Sequence, residues 1–89
     1  MIALPVELTQ AQAARCLITM QEILSSDTAA ITVVDGAALV RFDSSALAVL
    51  LELRRQCQSS GKQFAVAHLP EQLVDLAALY GITELLPAV

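Results

Sequence analysis

The side chains that could do chemistry in this chain are few and far apart. His68 is the single histidine, and it falls at the end of an expected strand, where open α/β sheets often place ligands. Nothing near it in sequence supplies a nucleophile and an orienting carboxylate, and it has no partners at metal-ligand spacing. A structural or solvent-facing role is its plainer reading. Cys16 and Cys57 lack ligand spacing as well, and both read as reduced thiols on helix faces. Neither a GxxxxGK loop followed by Ser or Thr nor a GxGxxG loop is present, so no standard nucleotide cradle is expected. The carboxylates Glu7, Glu22, Asp27, Asp35, Asp43, Glu52, Glu71, Asp75 and Glu84 are dispersed as solvated surface charge. No catalytic residue, cofactor or metal site is expected.

One segment stands apart. Asp43-Ser44-Ser45 precedes a strongly apolar run, and any of the three can cap the helix that follows. A helix start also presents free N–H groups and a positive dipole end, which favour an anion. A phosphate on Ser44 would be tolerated there while adding nearly two negative charges, enough to switch a binding surface. Both the capping role and the switching role are compatible with the residues.

The helix itself is too apolar for one buried face. Val49, Leu53, Ala46, Cys57, Leu50, Leu47 and Leu51 sweep about 200° of the wheel, whereas a helix on a sheet needs a stripe of somewhat over 100°. Ala46, Leu50, Leu53 and Cys57 are expected to face the sheet. Leu47 and Leu51, with part of Arg54, would form a second ridge beside Ser44 for a partner, unless neighbouring helices cover them.

The elements that position this segment follow from periodicity. Ile2–Leu8 alternates as a short strand, and Pro5 suits a sheet edge. Thr9 and Gln12 form a capping box for a helix over Gln10–Leu24, whose stripe is Ala13, Cys16, Leu17, Met20, Ile23 and Leu24. Ala29–Val34 reads as a strand covered on both faces, as in a parallel sheet. Ala37–Phe42 reads as a tight connection near the sheet end. The second helix runs to about Gln58, with Gly61 placed to end it. Phe64–Ala67 is another buried strand. Pro70 and Glu71 suit the start of a third helix carrying Leu73, Leu76, Ala77 and Tyr80, and Gly81 ends it. Strands alternating with helices predict right-handed βαβ crossovers, so the fold class is α/β with a small, mostly parallel sheet.

Composition bounds the rest. The chain has 89 residues, room for one domain over 1–89, and 56% of them are hydrophobic, which excludes disorder. Five basic residues against nine acidic ones give a net charge of -4, so nucleic acid is not an expected partner. The longest apolar stretch, Ala46–Leu51, is far short of the ~20 residues of a spanning helix, and the N-terminus lacks a basic region. No membrane insertion is expected, and the cytoplasm is the default compartment.

Phe42-Asp43-Ser44-Ser45-Ala46-Leu47, followed by a helix, a Gly61-Lys62 turn and a strand, resembles the STAS domain family, whose strand-to-helix signature is D-[S/T]-[S/G/T]-[G/A]-L. The ending Leu79-Tyr80-Gly81-Ile82-Thr83-Glu84-Leu85-Leu86-Pro87 and the short length are most similar to its MlaB-type members. The resemblance implies a non-catalytic subunit of an Mla-type phospholipid-transport ABC complex. It would bind an MlaF-like ATPase subunit and, through it, a membrane permease, at the cytoplasmic side of the inner membrane. Asp43, Ser44, Ser45, Leu47 and Leu51 would make the contact. Anti-sigma-factor antagonists share the motif and imply an alternative, in which Ser44 is phosphorylated by an anti-sigma kinase. The family's usual additional first strand has no counterpart here, which implies a smaller sheet or an exposed edge. Ala46 stands where many antagonists have Gly, which would leave a partner's backbone less room.

Overall fold

A computed structural model describes residues Met1–Val89. The expected first strand is two strands, β1 (Ile2–Ala3) and β2 (Glu7–Leu8), which join different sheets. Pro5 lies between them; it has no N–H to give to a ladder and its φ is fixed, so the strand bends out of one sheet and into the other. Helix α1 (Gln10–Ser26) follows, then β3 (Ile31–Asp35), β4 (Arg41–Phe42), α2 (Ser45–Ser59), β5 (Gln63–Ala67) and α3 (Glu71–Leu79). A single 3-10 turn, Thr83–Leu85, leads into the C-terminal tail.

The main sheet has the order β1-β3-β5, all parallel, with Thr32 opposite Phe64, Val34 opposite Val66, and Ile2 opposite Val34. These residues share one face and are all buried. The other face is only partly covered, since Ile31 is 50% exposed and Val33 and Ala65 are half-buried. The expectation of strands covered on both faces is therefore corrected: β3 and β5 alternate between buried and part-exposed positions. The tail runs beside the outer edge of β5, where Val66 N–H donates to Pro87 O (2.8 Å) and Val89 N–H donates to Val66 O (2.9 Å). On the opposite side β1 is the edge of the sheet.

The stretch Ala37–Phe42 is more than a connection. Arg41 pairs with Glu7 and Phe42 with Leu8, making β2 and β4 a second, two-stranded parallel sheet. Each of its strands feeds a helix, β2 into α1 and β4 into α2. The two helices pack side by side and run in the same direction, because their starts are tied to each other and so are their ends. At the far end Lys62 Nζ donates to the carbonyls of Leu24 (3.3 Å) and Asp27, placing a cation on the negative end of α1.

The core takes Ala46, Leu50, Leu53 and Cys57 of α2, each fully buried, together with Leu4, Leu8, Met20, Leu24 and Leu73. Leu47 and Val49 are buried as well, at 3% exposure each. Helix α1 runs two residues past its expected end and turns Ile23 outward, at 47% exposure. Tyr80, placed on the α3 stripe, is instead the residue after the helix and 57% exposed. Gly61 and Gly81 end α2 and α3 as expected, each at φ +72°, a conformation that a side chain disfavours.

Candidate functional site

The two strand-to-helix junctions lie beside one another because β2 and β4 are parallel and in register. Leu8 is opposite Phe42, so the next residues, Thr9 and Asp43, are brought level, followed by Gln10 and Ser44. At the first junction the polar groups close on each other. Gln12 Oε1 accepts from the Thr9 backbone N–H (2.8 Å) and from the Thr9 hydroxyl (2.6 Å). This is the expected capping-box pair, with the glutamine side chain doing the bonding.

The second junction works differently. Asp43 caps its own helix, Oδ1 accepting from Ser45 N–H (2.8 Å), and reaches across with Oδ2 to Gln10 N–H, the start of α1 (3.1 Å). One carboxylate thus sits between the positive ends of two parallel helices, where a negative charge is most favoured. The bonds from Ser45 N–H and then Gln10 N–H hold its pKa below the ordinary carboxylate value. With Asp43 serving as cap, the Ser44 hydroxyl makes no hydrogen bond and the residue is exposed. Ser45 is half-buried.

The expected contact residues are therefore not equivalent. Ser44 is free, whereas both oxygens of Asp43 are engaged by the chain itself. Leu47 is corrected outright: α1 packs along α2, and Leu47 is core rather than ridge. Leu51 is half-buried and packs against that core. The exposed line that continues from Ser44 passes through Ala48, four residues on and one turn along the helix, then Glu52 and Arg55. Ala46 is fully buried, so its methyl group faces the interior and takes no room from a partner.

The second sequence candidate, His68, does have an orienting carboxylate. Its Nδ1 lies 3.1 Å from Asp35 Oδ1, because Asp35 pairs with Ala67 across β3 and β5 and His68 is the next residue. Asp35 also accepts from Ala37 N–H (3.0 Å), and that bond first, then His68, lowers its pKa. His68 is the one non-glycine residue with positive φ, at 55°. Its pairing could have been anticipated from Asp35 and His68 both ending adjacent strands. Cys57 is buried and Cys16 half-buried, its thiol pKa raised by burial. No three His, Cys, Asp or Glu residues group as a metal site.

The shape at Ser44 is a surface rather than a cleft. The three grooves, of about 680, 500 and 400 Å³, run between β1 and α1, between the end of α2 and β5, and beside the C-terminal tail, and none includes Asp43, Ser44 or Ser45. An exposed helix start with a free hydroxyl suits a macromolecular contact better than an enclosed small substrate. No helix is long and apolar enough to cross a membrane.

No curated protein matches the chain. A family model described as "Mlab, STAS domain" does match, over residues 1–87. The strand-to-helix junction at Asp43-Ser44-Ser45, the parallel α/β sheet that carries it and this match agree, and the chain belongs to the MlaB-type STAS domain family, whose members are typically non-catalytic accessory domains.

Proposed function

We propose that this chain is a non-catalytic accessory subunit that docks on the ATPase subunit of an Mla-type phospholipid-transport ABC transporter. The docking face is the start of α2, with Ser44 and Ser45 toward the ATPase, the exposed α2 line through Ala48 beside them and the half-buried Leu51 at its margin. Asp43 holds that face in place. Through the ATPase the chain sits at the cytoplasmic side of the inner membrane, next to the permease, without entering the bilayer. ATP hydrolysis and lipid handling belong to the other subunits.

The observation that carries this reading is the exposed Ser44 hydroxyl, which has no bond within the chain although both neighbouring helix starts are capped. An exposed hydroxyl left unpaired by its own chain is available for a partner's hydrogen bond. The same exposure suits phosphorylation, as in an anti-sigma-factor antagonist, so the test must separate the two. Tagged chain is captured from its native cells in mild detergent, and the retained proteins are identified by mass. Recovery of an ABC ATPase with a membrane permease is expected. Recovery of a small soluble kinase or sigma-factor regulator, with phosphate on Ser44, would replace this reading by the antagonist one.

A further inference from the structure

The main sheet finishes its two edges differently. At β5 an extended segment of the chain closes the edge. Ala88 forms a parallel bridge with Val66, Val66 N–H donates to Pro87 O (2.8 Å), and Val89 N–H donates to Val66 O (2.9 Å). The same segment sinks one apolar anchor, Leu86, into the core. At β1 the edge is open. Leu4 N–H donates inward to Asp35 O (2.8 Å), and successive residues of a strand direct their main-chain groups to opposite sides. Ala3 N–H and C=O therefore point away from the sheet, as the free groups of an edge do.

Beside that edge runs the largest groove of the molecule, about 680 Å³, between the β1–β2 segment and α1. Ala3 stands on one wall, and Cys16, Met20 and Ile23 of α1 give the other an apolar surface on which Ile23 is left 47% exposed. Its two charged residues, Glu7 and Arg15, are of opposite sign, so the groove asks for no net charge. A lipid chain or a helix would cover the apolar wall, yet neither presents main-chain N–H and C=O groups in line with Ala3. An extended segment does both, bonding the edge through its backbone and turning alternate side chains into the groove. The tail at β5 shows the same combination within this fold: main-chain bonds to the edge strand and one buried apolar side chain.

We propose that the β1 edge and the groove along α1 bind an extended, uncharged segment of another polypeptide by strand addition. Its backbone exchanges hydrogen bonds with Ala3, and one of its apolar side chains lies against Met20 and Ile23. Pro5 has no N–H and ends the free ladder two residues on, so the site is short and its binding weak. Asp43, Ser44 and Ser45 do not line the groove, so this site is separate from the ATPase-docking face and stands or falls without it.

The test titrates the isotope-labelled full chain with the blocked peptide acetyl-Thr-Val-Thr-Val-Thr-Val-amide and follows it by NMR. Saturable shifts are expected at the Ala3 amide and at Met20 and Ile23, with a Kd of about 0.1–1 mM. Exchange of the Ala3 amide should slow about tenfold in the bound state. A3P removes the free edge N–H without breaking a bond of the fold, and I23D places a charge on the apolar wall. Each is expected to weaken binding about tenfold or more at unchanged thermal melting. I18D, exposed on the same helix but outside the groove, and S44R bind the peptide as wild type does. The proposal is overturned by the absence of saturable shifts up to about 10 mM peptide, or by wild-type affinity in both A3P and I23D. It is also overturned if the chain alone rises in mass toward twice its 9.4 kDa with concentration and A3P abolishes the rise, because the occupant is then a second copy.

Discussion

The two strand-to-helix junctions, at Thr9 and at Asp43, lie side by side in register, yet they dispose of their polar groups in opposite ways. The first closes on itself: Thr9 bonds Gln12, and the helix start is finished with its own side chains. The second reaches out, as Asp43 caps both α2 and α1 while Ser44 stays unbonded in solvent. Two junctions in one strand register therefore produce one structural junction and one available for recognition. The difference lies in who supplies the cap. A serine that caps its own helix is committed, whereas a serine relieved of that task by the aspartate before it is free for another molecule.

The strongest way to break this comparison is to test which leucine side of α2 belongs to the inside. L47A should cost about 2–5 kcal/mol in denaturant unfolding, since it empties a core position beside α1. A48D, one residue on and exposed, should unfold like wild type but lose the ATPase. A stable L47A that loses only the partner would restore the ridge and undo the comparison.

Next comes the shared cap. D43A should speed amide exchange at both Gln10 and Ser45, coupling two helix starts to one side chain, and should weaken partner capture with them. T9A should cost about 1 kcal/mol and disturb the start of α1 alone. If D43A disturbs only α2, the two junctions are independent.

A smaller effect follows from titration. The Asp43 pKa is lowered in the fold by the N–H groups of Ser45 and Gln10, so the folded state favours the ionised form. Its stabilisation is present above the unfolded-state value and is lost as pH falls below about 4 toward the lowered folded value. Acid unfolding of wild type should therefore include a contribution that D43N lacks, measured as a shallower pH dependence below that point. Smallest of all, S44A should change stability by no more than about 0.5 kcal/mol, because its hydroxyl makes no bond in the isolated chain. Its effect should appear only in capture of the partner.

Much of this was legible in advance. The β-branched run at Ile31–Val34, the Thr9–Gln12 pair and the helix-ending Gly61 and Gly81 are local signals, and each lies where its residues direct. Leu47 was not legible, because wheel arithmetic counts apolar residues without knowing that a second helix lies alongside. Nor was the β2–β4 ribbon, since two-residue strands have no periodicity to read and exist only through their pairing.

The sequence by itself determined the α/β class, the helix limits to within a few residues and the exceptional character of Asp43-Ser44-Ser45. Those are properties of short windows, where turn chemistry and periodicity act over one or two turns of chain. Tertiary structure alone decided that Asp43 bonds Gln10 across 33 positions, that Asp35 meets His68, and that Arg41 is left without the glutamate opposite it. Each depends on strands far apart in sequence arriving in one register, because a hydrogen bond or ion pair is governed by ångström distances that no local pattern specifies.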